Sequence, residues 1–319
     1  MRTRFNTILS AKFITRQFSS MQRITMLALT NLVVLNLGVH FATGQTYPNL
    51  VEPIYRVAHE VPVGQTTQVA SRIEHKQPQT PFDLKQRAGE HPLMPALRLA
   101  RQCLHNYDEN VHDYSATLIK QERIDGVLNE QEAAFTKVRN QPTFDVYMFF
   151  LKPNRGQECL YKSVTDDPKG TLYARGSGMT SRLGVMELPP DGRLAMRGQK
   201  YPITKLGLRN LITELIDVAS NDIKFGECQV RTAQSQINKR SATLIEVVHP
   251  VERNNFRFHK AELFIDNELK LPIRYAAYLW PEAPGSQPPL EEAYTYLNLK
   301  INNGYTDIDF DRDNPEYFK

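Results

Sequence analysis

Beyond residue 92 the apolar positions fall first into a helical period and then into a period of two. Leu97, Leu99, Ala100, Cys103 and Leu104 share one helix face, which predicts a helix over residues 95–107 with Pro95 in its first turn. Alternation then predicts strands over residues 114–123, 132–139, 143–151, 157–164 and 171–174. Asp125-Gly126 supplies the turn between the first two. In the first strand Tyr114, Ala116 and Leu118 face one way and Ser115, Thr117 and Ile119 the other. In the third, Phe144, Val146, Met148 and Phe150 lie opposite Tyr147 and Phe149. Residues 176–202, rich in Gly, Pro and Met, break the pattern as a long irregular connection, of a kind that is usually functional or mobile.

A second helix is predicted over residues 203–220. Leu208, Leu211, Leu215 and Val218 lie along one side of it, joined by Ile212 and Ile216. Five more strands follow over residues 224–232, 241–249, 256–266, 272–280 and 291–301. Short turns between neighbouring strands imply antiparallel pairing, hence an α+β domain.

Several motifs resemble the periplasmic lipoprotein-carrier superfamily. Asn302 to Phe310 fits its N-x-G-x-x-D-x-x-F ending. Asp145-Val-Tyr-Met-Phe-Phe-Leu-Lys-Pro-Asn154 is similar to its early strand, and Asp266-Asn-Glu-Leu-Lys-Leu-Pro-Ile-Arg274 to one of its hairpins. Tyr114-Ser-Ala-Thr, Lys137-Val-Arg139, Leu194-Ala-Met-Arg-Gly-Gln-Lys-Tyr-Pro-Ile203 and Asn314-Pro-Glu-Tyr317 resemble a bacterial exported family of unknown function. The resemblance covers residues 92–319. It implies a half-barrel: a strongly curved antiparallel sheet with helices over its concave face.

If the second helix is a lid on that face, the space beneath it suits a lipid, an acylated protein or another hydrophobic ligand. Phe144, Val146, Met148, Phe150, Leu208, Leu211 and Leu215 are the candidate lining. Arg197 and Tyr201 stand in the loop before the lid, where Arg197 is a candidate to gate the cavity or pair with an acid. Amphipathic strands and helices look the same whether the gap between them is open or filled. A sensor or scaffold module with a filled core, binding an envelope protein, therefore stays open as a second reading. A hydrolase is a third.

The N-terminus adds a compartment. Met21-Gln-Arg23, the apolar stretch over residues 24–41 and Ala42-Thr-Gly44 together read as an export signal cleaved near Gln45. An uncut membrane anchor and a transit peptide are the alternatives. Residues 45–91, punctuated by five prolines and short of aliphatic runs, read as a flexible spacer. The formal charge of +4 belongs to the leader, which holds five basic residues and no acid. Residues 45–319 carry 34 basic and 35 acidic side chains, which argues against a nucleic-acid partner.

Catalytic signatures fail on spacing. Gly176-Ser-Gly178 lacks the nucleophile-elbow pattern, and no H-E-x-x-H or phosphate loop occurs. No cofactor or metal is expected. His249 and His259 lie in adjacent strand segments and read as ordinary sheet residues. Asp307, Asp309, Asp311 and Asp313 lack the Gly and Glu of a calcium loop and read as a solvated tail, with Ile308 and Phe310 turned inward. Of Cys103, Cys159 and Cys228, the last two are the candidate disulfide. Three buried free thiols are the equal alternative.

Overall fold

A computed structural model describes residues 80–164 and 167–319. The expected leader and residues 45–79 of the spacer lie outside the described residues. The first helix, α1 (Met94–Asn110), runs one turn longer than its apolar stripe. It leads into β1 (Asp113–Ile124), β2 (Val127–Leu128), β3 (Glu132–Arg139), β4 (Asp145–Lys152), β5 (Glu158–Val164), β6 (Asp167–Arg175) and β7 (Met186–Leu188). Helix α2 (Leu208–Asp222) is followed by β8 (Gln229–Ile237), β9 (Arg240–Val248), β10 (Lys260–Asp266), β11 (Pro272–Tyr278) and β12 (Leu290–Ile301).

These strands form one open antiparallel sheet in the order β7-β6-β5-β4-β3-β1-β12-β11-β10-β9-β8, with β2 paired to β1. The first long strand thus lies beside the last, with Tyr114 opposite Ile301 and Glu122 opposite Glu292. Laid flat, the eight spacings from β7 to β10 would cover roughly 38 Å. A single cavity nevertheless touches Met186 in β7 and Ala261 in β10. The sheet therefore curls into the expected half-barrel. Its inner-face side chains, among them Tyr114, Leu118, Val146, Ile245 and Ile273, join Leu99, Cys103, Leu208 and Ile212 of the two helices in one core.

The outer face is covered too. After β12 the chain turns back across β3–β5, where Phe310 and Tyr317 close a second cluster over Tyr147 and Leu160. Tyr147 and Tyr317 stack at 3.8 Å. The tail motif has a physical cause. The buried Asp113 carboxylate accepts the backbone N–H groups of Asn303 (2.6 Å), Gly304 (3.0 Å) and Tyr305 (3.1 Å). Gly304 takes a left-handed φ of 76°, which suits the residue without a side chain. Arg139 then bridges Asp145 (2.6 Å) and Asp307 (2.7 Å), while Lys137 holds Asp309 at 3.1 Å.

Several expectations are corrected. Asp307 and Asp309 are ion-paired, and Ile308 is 61% exposed while Phe310 is buried. The packed unit reaches back into the expected spacer. Phe82 and Leu84 lie against the core, and Thr80 meets the Thr243 hydroxyl at 3.2 Å. The lid helix begins at Leu208 instead of 203, because Pro202 opens a separate 3-10 turn (Ile203–Lys205) and Gly207 takes a φ of 107°. The Tyr114 hydroxyl then accepts the Leu208 N–H at 3.0 Å. The 176–202 connection contains β7, too short to show a period. Strand β8 sits five residues later than expected. Lys224 and Phe225 belong to the turn that ends α2, and Asn238-Lys239, both at positive φ, close the β8–β9 hairpin. The regular part of β10 begins at Lys260, after a turn at Phe256.

Asp113→Ala leaves three backbone donors of the tail turn without their acceptor. The expected cost is about 3 kcal/mol, read as a lower urea midpoint with an unchanged slope.

Candidate ligand cavity

Between α2, the loop before it and the concave face lies a cavity of about 780 Å³. Its floor comes from alternate residues of neighbouring strands: Leu118 of β1, Met148 and Phe150 of β4, Cys159 of β5, Leu172 of β6 and Tyr296 of β12. The period of two aims these side chains inward. Leu211, Leu215 and Val218 of α2 form the roof, and Leu183, Leu188 and Leu194 close one wall.

Among the residues expected from sequence, Met148, Phe150, Leu211, Leu215, Arg197 and Tyr201 line this space. Val146 and Leu208 do not. Both are fully buried in the dry core between helix and sheet. Phe144 borders a separate, smaller cleft beside Tyr107 and Arg209, where its ring packs against Tyr161 at 5.8 Å.

One end of the cavity is polar, and sequence reasoning missed it. Glu122 and Glu292 face each other across the β1–β12 junction, both buried. Glu122 accepts the Tyr294 hydroxyl at 2.7 Å and the Lys200 backbone N–H at 3.0 Å. Glu292 accepts the Tyr201 hydroxyl at 2.9 Å and pairs with Lys200 Nζ at 2.7 Å. Lys120 reaches Glu132 at 2.8 Å and donates to Gln199, and Arg257 donates to the Tyr201 hydroxyl. Two like charges in a sheet cross-pair repel. Here Lys200, the two tyrosines and Lys120 compensate them. The signal was present in the alternation. The apolar face Tyr114-Ala116-Leu118 continues as Lys120 and Glu122, and Tyr296-Tyr294 continues as Glu292, so charged residues occupy inward positions.

The candidate disulfide is not formed. All three cysteines are buried free thiols. Cys159 lines the cavity in β5, whereas Cys228 precedes β8 at the far edge of the sheet. Burial pushes Cys103 and Cys159 up to about 12 and Cys228 to about 11, which makes them inert as nucleophiles.

The two histidines do meet. His249 N–H donates to the His259 carbonyl at 2.8 Å, and His249 Nδ1 donates to the Phe258 carbonyl at 3.1 Å. Its neutral Nε2 is therefore an acceptor. It faces Asp222 Oδ2, at the end of the lid helix, at 3.4 Å, and the two need a proton between them. Burial raises the Asp222 carboxyl to about 6 and lowers the His249 imidazole, with Cys228, His259 and His91 as the other titratable neighbours.

Fold and cavity together define an open antiparallel half-barrel with a helix-roofed apolar chamber. The chain belongs to the family described as "Protein of unknown function (DUF1571)", whose model matches residues 111–318. No curated protein matches it. Among solved structures it is similar to a putative outer membrane lipoprotein-sorting protein domain from Vibrio parahaemolyticus, with 12% identity and a TM-score of 0.33 over 67% of this chain and 95% of that one. It is also similar to LprF from Mycobacterium bovis, with 13% identity and a TM-score of 0.36 over 68% and 100%. A LolA superfamily protein from Nitrosomonas europaea gives 12%, 0.27, 67% and 98%. Matches this distant say nothing of what this chain binds.

The Asp222–His249 pair has a pH signature. The folded Asp222 holds its proton up to about 6, against 3.8 when exposed, so the native state binds more protons across that window. Asp222's contribution to stability is full below that window and is lost as pH rises through it, while the lowered His249 imidazole acts in the opposite sense, so the comparison with the variant isolates the carboxyl. Asp222→Asn removes this slope. Urea midpoints near pH ~4.5 and ~7.5 check it, and wild type should fall relative to the variant at the higher pH.

Proposed function

We propose that this chain is a non-catalytic binding protein of the cell envelope, reached by export, whose cargo is a lipid, an acylated protein or another hydrophobic molecule. One observation carries the reading: the space beneath the lid helix is open, about 780 Å³, and walled mainly by aliphatic and aromatic side chains. That size falls within the range of small-molecule sites. Ten methylenes moved there from water would contribute on the order of 8 kcal/mol before the cost of immobilising the ligand. The buried carboxylates and tyrosines at one end favour an amphiphile, its chain along Met148, Phe150 and Leu172 and its polar end toward Tyr201 and Glu292. A scaffold with a filled core is disfavoured by the same open space.

Native mass spectrometry of the chain purified from its own envelope, followed by organic extraction, tests this. A reproducible extra mass that extracts as lipid supports it. A bare mass that gains nothing on incubation with envelope lipids sinks it. Leu211→Asp, which puts a charge in the roof, should cut cargo retention more than tenfold, a loss of at least about 1.4 kcal/mol. Loss of cooperative unfolding in that variant would mark Leu211 as plain core. Leu215→Trp then keeps the test open, because it fills the chamber without adding charge.

A further inference from the structure

The loop that walls the cavity also carries exposed apolar side chains. Met179 is 83%, Leu183 70% and Leu194 52% exposed. Leu183 and Leu194 line the cavity as well, so they stand at its mouth. Met179, Arg182 and Leu183 lie in one 3-10 turn (Gly178–Leu183), where residues three apart eclipse, which sets Met179 beside Arg182. Arg182, Arg193 and Arg197 are exposed, and none has a carboxylate partner among the described residues. Residues 175–200 hold five basic side chains and two acidic ones, and Asp191 is engaged by Lys169.

Exposed apolar groups at a cavity mouth mark a docking surface, and the unpaired arginines fix the sign of what docks there. An acidic protein surface offers the charge without an apolar layer beneath it. A bilayer with anionic headgroups offers both within a few ångströms. We propose that this rim, centred on Met179, Arg182, Leu183, Arg193 and Leu194, seats the protein on the surface of an anionic membrane with the mouth of the cavity against the lipid. This docking goes beyond the cargo reading, since it does not depend on which molecule fills the cavity.

The test places an environment-sensitive dye at Met179→Cys in the full chain. Labelling is selective because the three native cysteines are buried. Vesicles of phosphatidylglycerol and phosphatidylcholine should shift the dye to the blue. Phosphatidylcholine alone should not, nor should the same dye at Ile308→Cys on the opposite face respond. Arg182→Gln with Arg193→Gln should weaken the response on the order of 30-fold, the equivalent of two surface charges. An unresponsive dye at 179, an equal response to both vesicles, or full binding by the double variant overturns the proposal. Organic extraction of the same variants reads cargo separately. Cargo retained without docking sinks only the docking surface, and docking without cargo sinks only the binding-protein reading.

Discussion

The pairing of β1 with β12 is the interaction on which the rest depends. It joins the two halves of the sheet, β3–β7 on one side and β8–β11 on the other. It also sets two buried glutamates opposite each other, a placement that costs free energy unless cations and donors are brought to it. Those partners come partly from the two strands themselves, as Lys120 and Tyr294, and partly from the loop before the lid, as Lys200 and Tyr201. The electrostatic demand of the junction thereby pins the loop, the loop positions α2, and α2 roofs the cavity.

A curved sheet has two apolar faces to hide, and the chain treats them differently. On the outer face the tail packs down to a dry cluster, closed by Phe310 and Tyr317 and fixed by Arg139, Lys137 and the Asp113 carboxylate. On the inner face two helices cover the middle and one end, and a chamber is left under the second. Filling it with side chains would gain stability. The bulk is absent where the roof residues meet the floor at Cys159 and Ala174.

Much of this was legible in the sequence. The alternation of β1 and β4 assigned Tyr114, Leu118, Met148 and Phe150 to the correct face, because a one-residue slip would invert every side chain. What failed has local causes. Gly207 and Pro202 break an apolar run that looks continuous, so the lid was expected five residues early. The edge strand β8 carries three Gln among its nine residues and shows no buried residue until Ile237. Val146 and Leu208 have the same pattern as their cavity-lining neighbours and differ only in how closely helix and sheet approach. The glutamates of the junction were overlooked because charged residues in a strand are ordinarily read as its wet face.

The central place of the first strand has a consequence in time. β3 to β7 can zip up as consecutive neighbours as soon as they are made, and so can β8 to β11. β1 joins β3 at once, but its other edge must wait for a partner more than 160 residues downstream. Pairings this remote in the chain are slow to form. The chamber, lined by strands of both halves, therefore appears only when that pairing closes, and until then each half-sheet leaves an edge exposed.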